Sequence, residues 1–260
     1  MLGTNNTFAL YNKKNMVPKG VLIPIGGNEN KGTEVNEKYQ VQFIEYGILA
    51  RVVQESGGID AKIIVIPTAS SIPKEVGRNY LEAFAKLGCN NVTVVKIKSP
   101  EDAELPENIT HLKEADCVMF SGGDQSKIAK KIGGTLFHQI LEQRYLNEEN
   151  FVVAGTSAGA MAMSSEMIAG GSSTDSFVKG AVKMRKGLGL LPGVIFDTHF
   201  IARGRFGRVS EAVAHFPTIL GIGLAEDTGL VIKNGNDAEV IGSGMVIVFD
   251  GREIEHNNQN

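Results

Sequence analysis

Short unbroken apolar runs, each followed by a stretch with helical hydrophobic spacing, constrain this chain more than any other feature. "GVLIPIGG", "AKIIVIPTAS", "NVTVVKI", "DCVMFSGGD" and "FVVAG" lack the in-and-out alternation of a strand with one wet face. A strand buried on both faces needs helices above and below it. "EVNEKYQVQFIEYGILARVVQESGG", "KEVGRNYLEAFAKLG", "SKIAKKI" and "LFHQILEQRYL" supply amphipathic helices between the runs, and the segment from Pro100 to Lys113 reads as helix or loop. The pattern predicts an α/β chain with a doubly wound, mostly parallel sheet flanked by helices. Beyond about residue 190 the texture shifts to closely spaced strands, "GVIFDTHF", "ILGIGLAED", "TGLVIKNG", "AEVIGSG" and "MVIVFDG". Turn signals at Asp227-Thr228-Gly229, Asn234-Gly235-Asn236 and Gly242-Ser243-Gly244 separate the later ones and predict C-terminal β-hairpins at one end of the sheet.

No repeat or Pro/Gly-rich linker divides the chain, so residues 1–17 read as a flexible leader and 18–260 as a single domain. With 26 basic against 29 acidic residues, the net charge of -3 gives no global attraction for nucleic acid or an anionic membrane. Charge specificity must therefore be local, and neither partner is expected. The leader lacks the basic and apolar regions of a signal peptide, and no run approaches the roughly 20 apolar residues of a membrane span. The expected location is cytoplasmic. Cys89 and Cys117 form no C-x-x-C pair, so neither a zinc site nor a disulfide framework is indicated.

Ligands of open α/β sheets bind outside the carboxyl ends of the strands. There stands "GTSAGA", in which Gly155-Thr156-Ser157-Ala158-Gly159 fits the G-x-S-x-G elbow directly after a strand and before a helical stretch. A sharp strand-to-helix turn strains the serine backbone and brings neighbouring chain too close for side chains at the flanking positions. It also presents a hydroxyl beside helix N-terminal amides. The amide of Ala158, with one from the Gly122-Gly123 pair, taken as Gly123, suits the oxyanion of an acyl-transfer intermediate. The bland alternative is a chance match in a chain with 31 glycines, or a serine that merely caps the helix.

A serine nucleophile needs a base within hydrogen-bond reach and a carboxylate to orient that base. His111, His138, His215 and His256 lie in polar or packing contexts. His199 instead follows the strand "GVIF" and opens a segment with Asp197, Arg203, Arg205 and Arg208, so it projects from a strand end as Ser157 does. Three carboxylates are candidates to orient it: Asp175, which lies between serine and histidine, Asp197, and Glu226 at the end of "GIGLA". Spacing does not choose among them. The three arginines form the densest basic cluster in the chain, and their nearness to the base predicts a clamp for substrate carboxylates. Asp124 and Gln125 are candidates to hold an amide or a guanidinium. No metal-ligand spacing is found, and no cofactor is expected.

Taken together, "IPIGGNE", "PTASS", "FSGGDQ", "GTSAGA", the run from His199 to Arg208, and "GIGLAEDTGLVI" resemble the cyanophycinase family of serine exopeptidases, related to dipeptidase E, from about residue 18 to 250. The resemblance implies Ser157 as nucleophile, His199 as base and Asp175 as the charge-relay acid. It also implies a pocket lined by Gln125, Asp197, Arg203, Arg205, Arg208 and Glu226, and a homodimer. Members of the family hydrolyse cyanophycin, a poly-aspartate with arginine on each β-carboxylate, to β-Asp-Arg dipeptides. The chain departs from the family pattern at Asp197-Thr198-His199, where glutamine is expected at Thr198, so an isoaspartyl or other acidic dipeptide stays open as substrate. An α/β-hydrolase esterase shares the elbow but lacks support in an HGGG-type sequence. A non-catalytic anion-binding module is the remaining alternative, weakly supported because the chain has no phosphate-loop signature.

Overall fold

A computed structural model describes residues 16–32, 42–171 and 180–254. The chain runs through β1 (Val21–Ile25), α1 (Phe43–Tyr46), α2 (Ile48–Glu55), β2 (Ile63–Ile66), α3 (Pro73–Lys86), β3 (Val92–Val94), α4 (Pro106–Glu114), β4 (Cys117–Phe120), α5 (Gln125–Ile132) and α6 (Leu136–Asn147). There follow β5 (Val152–Thr156), α7 (Ala158–Met161), β6 (Glu166–Gly170), β7 (Lys183–Lys186), β8 (Val194–Asp197), α8 (Phe206–His215), β9 (Leu220–Leu224), β10 (Thr228–Lys233), β11 (Asp237–Gly242) and β12 (Val246–Phe249).

The main sheet has seven strands in the order β11-β10-β1-β5-β4-β2-β3. Its five strands from β1 to β3 are parallel, and the β10–β11 hairpin adds antiparallel to β1. The unbroken apolar runs are explained by the two cores they separate. Ile23, Ile25, Val65 and Met119 face α2 and α3 through Leu49, Val52, Tyr80 and Phe84. The alternate residues Leu22, Ile64, Ile66, Val118 and Phe120 face α4, α5 and α6 through Leu112, Ile128, Phe137 and Leu141. Both sets are withdrawn from water, so neither face tolerates a polar position.

Besides the antiparallel pair of β6 and β7, which the sequence reading does not anticipate, two details differ from the sequence expectation. The first part of the helix expected ahead of β2 lies outside the described residues up to position 41; beyond it α1 and α2 are separated at Gly47, which is extended (φ -68, ψ 151) and where a Cβ would stand 2.5 Å from Phe43 O. The C-terminal strands also divide. β10 and β11 form the expected hairpin on the main sheet, whereas β12 pairs antiparallel with β9, which lies parallel to β8 in a separate three-stranded sheet. This second sheet positions the site, because β8 ends where the carboxyl end of β1 begins its loop: His199 N donates to Gly26 O at 2.7 Å. Among the described residues, no helix is long and apolar enough to cross a membrane.

Candidate active site

Ser157 stands between the carboxyl end of β5 and the first turn of α7 with φ 50 and ψ -109, a conformation that costs about 1–3 kcal/mol and persists only where the surroundings impose it. They do so closely. Ser157 N donates to Ile25 O at 2.8 Å. A Cβ on Gly155 would meet Gly159 C at 2.7 Å, and one on Gly159 would meet Phe120 O at 2.5 Å. Both flanking glycines are thus required by contact with backbone. On the β4 side, Gly122 faces Ser157, its Cβ position lying 3.4 Å from Ser157 Cβ. Gly123 has φ +139 and presses on Ala69 O, where a Cβ would come to 2.2 Å. Among the described residues, the amides of Gly122, Gly123 and Ala158 donate to no protein acceptor.

The histidine arrives from the other sheet. Asp197 ends β8, and Phe200 anchors the turn beyond it, its amide donating to Leu224 O at 3.1 Å and its ring lying against Gly223. Between them His199 adopts φ 49 and directs Nε2 to Ser157 Oγ at 3.1 Å, while Nδ1 lies 2.7 Å from Glu226 Oε1. A carboxylate can only accept, so Glu226 fixes the proton on Nδ1 and leaves Nε2 free to take one from the hydroxyl. Burial is the main influence on the imidazole and holds it below the ordinary histidine range; Arg203 and Arg205 act in the same direction, against the pull of Glu226. The ring is therefore a neutral acceptor at neutral pH.

Glu226 reaches the histidine because β9 runs parallel beside β8, with Asp197 opposite Gly223, so both side chains leave adjacent strands at the same end. Asp175 lies outside the described residues, as does His256.

The ion pairs show where the three arginines lie. Asp197 is fully buried and receives Arg208 Nε at 2.9 Å and the second Arg208 nitrogen at 2.5 Å, together with Arg205 Nη1 at 2.9 Å. Arg205 also donates to Thr198 O at 2.8 Å. Two of the three guanidinium groups thus brace the histidine turn through Asp197. Arg203 is exposed and, among the described residues, forms no side-chain ion pair. Thr198 is fully buried, and its Oγ1 has no hydrogen-bond partner among the described residues. Gln125 directs Nε2 to Ile168 O at 2.7 Å, tying α5 to β6, and Asp124 caps α5 by accepting from Ser126 N at 2.8 Å. These two side chains hold structure where substrate contacts were expected.

Two features of the site carry no role in the sequence reading. Gly27, at φ +102, lies against the imidazole, where a Cβ would stand 2.4 Å from Nε2. Glu29, in the same loop, is a buried carboxylate only 2% exposed. Both fall within "IPIGGNE", where paired glycines and an acid at a strand end are the available signal.

A strained serine, an imidazole at hydrogen-bond distance and a carboxylate behind it, at the carboxyl end of a parallel sheet, have the make-up of a serine hydrolase. The comparison with known proteins narrows that class. A family model, peptidase family S51, matches residues 22–240, and the chain belongs to that family of serine-type peptidases. It is 35% identical over 243 residues to a cyanophycinase of Trichormus variabilis, covering 93% of this chain and 77% of that protein. It is 34% identical over 241 residues to a cyanophycinase of Synechococcus elongatus, covering 92% of this chain and 71% of that one. Among solved structures, a peptidase from an acI-B1 Actinobacterium superposes with a TM-score of 0.68 at 22% identity, over 90% of this chain and 92% of the other. A putative peptidase E protein from Listeria monocytogenes superposes at 0.55 with 15% identity, over 88% and 100%.

Proposed function

We propose that this peptidase is a serine exopeptidase that hydrolyses cyanophycin to β-Asp-Arg dipeptides through Ser157, His199 and Glu226. The single observation that carries the reading is the continuous relay from Glu226 through the imidazole to the Ser157 hydroxyl, at 2.7 and 3.1 Å. The substrate is supported by the cyanophycinase relatives, 35% identical over 93% of the chain.

In this scheme Ser157 Oγ attacks the carbonyl of an aspartyl unit as His199 Nε2 takes its proton. The amides of Ala158 and of the Gly122-Gly123 pair receive the oxyanion. The imidazolium, stabilised by Glu226, returns the proton to the departing amine. The same imidazole then deprotonates a water that cleaves the acyl-enzyme. Arg203 is the cation open to a substrate carboxylate, in place of the full three-arginine clamp. The homodimer implied by the family resemblance forms part of the proposal.

The test is to incubate the protein with cyanophycin, with β-aspartyl dipeptides and with simple esters, identifying products by mass spectrometry and the oligomer by sedimentation. Release of β-Asp-Arg from the polymer by wild type but not by Ser157→Ala is the expected result. Turnover of β-aspartyl dipeptides alone would replace the polymer as substrate, and undiminished activity in Ser157→Ala would overturn the mechanism.

A further inference from the structure

The loop from Gly26 to Gly32 touches every part of the relay. Gly26 O accepts from His199 N at 2.7 Å, Gly27 O accepts from Asp227 N at 2.8 Å, and Asn30 N donates to Asp227 Oδ1 at 3.0 Å, next to Glu226. On the serine side the contact is made by Glu29. Its Oε2 accepts from Thr156 Oγ1 at 2.5 Å, and Thr156 immediately precedes the nucleophile. Its Oε1 accepts from Tyr80 Oη at 2.6 Å and from Lys31 Nζ at 2.7 Å, so the carboxylate joins the β1 loop, α3 and the end of β5.

We propose that Glu29 is a positioning residue of the peptidase site: by accepting the Thr156 hydroxyl, its buried carboxylate locks the nucleophile's elbow to the loop that also seats the histidine. The inference rests on the reading of Ser157 and His199 as catalytic pair. A group this deeply buried that serves only the fold is costly, because an ionised carboxylate withdrawn from water must be matched by donors on both oxygens. Here the donors are aimed from the residue beside the serine and from the loop beside the imidazole. Backbone pairing of Ile25 with Thr156 fixes the strand end along its length, and the side-chain bond fixes it sideways. The strained φ of Ser157 would otherwise relax, moving Oγ relative to Nε2.

A displacement of about 1 Å in a reacting pair costs on the order of 100-fold. Thr156→Val, which keeps the side-chain shape and deletes one bond, is therefore expected to lower kcat by about 10- to 100-fold, with KM within about two-fold. Thr156→Ser, which keeps the hydroxyl, recovers most of that loss. Glu29→Ala, which removes the acceptor, loses at least as much as Thr156→Val, and the double variant loses less than the product of the two. Rates are read on cyanophycin and as the rate of labelling by a fluorophosphonate, each normalised to folded protein, with Ser157→Ala as control. Wild-type kcat and labelling in Thr156→Val, or equal losses in Thr156→Ser and Thr156→Val, overturn the proposal while Ser157→Ala stays inactive. Activity in Ser157→Ala overturns the catalytic pair itself, and this role with it.

Discussion

Replacing Glu226 by glutamine changes charge without changing shape, and the relay geometry sets the size of the effect. With Nδ1 and Oε1 2.7 Å apart, the charge centres of the imidazolium and the carboxylate stand about 4 Å apart. At the effective dielectric of about 20 suited to a partly exposed pair, their attraction is about 4 kcal/mol. That attraction exists in the transition state, when the ring is protonated, and is weak in the ground state, when the ring is neutral. The whole of it therefore enters the barrier, and at tenfold per ~1.4 kcal/mol it amounts to about 10³-fold. A glutamine amide that turns its NH2 toward Nδ1 adds to the loss by placing the ring proton on Nε2, where it faces the hydroxyl, so the expected fall in kcat/KM is about 10³- to 10⁴-fold. The assay is dipeptide release from cyanophycin, with the melting temperature measured alongside to verify folding, and Asp175→Asn run in parallel. Glu226→Gln within about tenfold of wild type, with Asp175→Asn losing more, would refute the reasoning and return the relay role to Asp175.

Four further outcomes follow from the site. Because burial lowers the His199 pKa, the neutral base persists to lower pH than for an ordinary histidine; the acid limb of kcat/KM lies below 6.5, and activity falls only as pH drops through that folded value. Arg203→Gln removes one of the cations acting in the same direction, so it moves that limb to higher pH; an unmoved limb in a pH series counts against the electrostatic account. Gly27→Ala puts a methyl where the imidazole stands, at a φ of +102, and is expected to abolish fluorophosphonate labelling while the far-UV circular dichroism stays native. Asp197→Ala strands two cations in the interior and is expected to cost about 3–5 kcal/mol, read as a lowered denaturation midpoint; a midpoint near wild type would restore Arg205 and Arg208 as substrate ligands.

The parallel sheet, the glycine-flanked turn at Ser157 and the serine–histidine meeting were legible because each leaves a local mark: doubly buried runs, glycines around a strained residue, a polar cluster at a strand end. The pairing of the arginines was not legible because an ion pair leaves no such mark. Asp197 precedes Arg205 and Arg208 by eight and eleven residues, across a turn and into α8, so no periodicity says that they close on one carboxylate. The same limit left the orienting acid open. Glu226 is brought to His199 by the pairing of β8 with β9, a long-range register that becomes visible only once β12 is known to leave the main sheet and complete the small one. Gly47 reads as a tolerable helical glycine until the Phe43 carbonyl is seen to stand against it.

Ser157 hangs from one sheet and His199 from another, and between them lie Gly26 and Gly27, at which a Cβ would meet Ala225 O at 1.8 Å and the imidazole at 2.4 Å. The serine–histidine pair is thus set like a calliper across that seam. Repacking within either sheet leaves its jaws set, whereas one methylene of thickness at the two glycines forces them open.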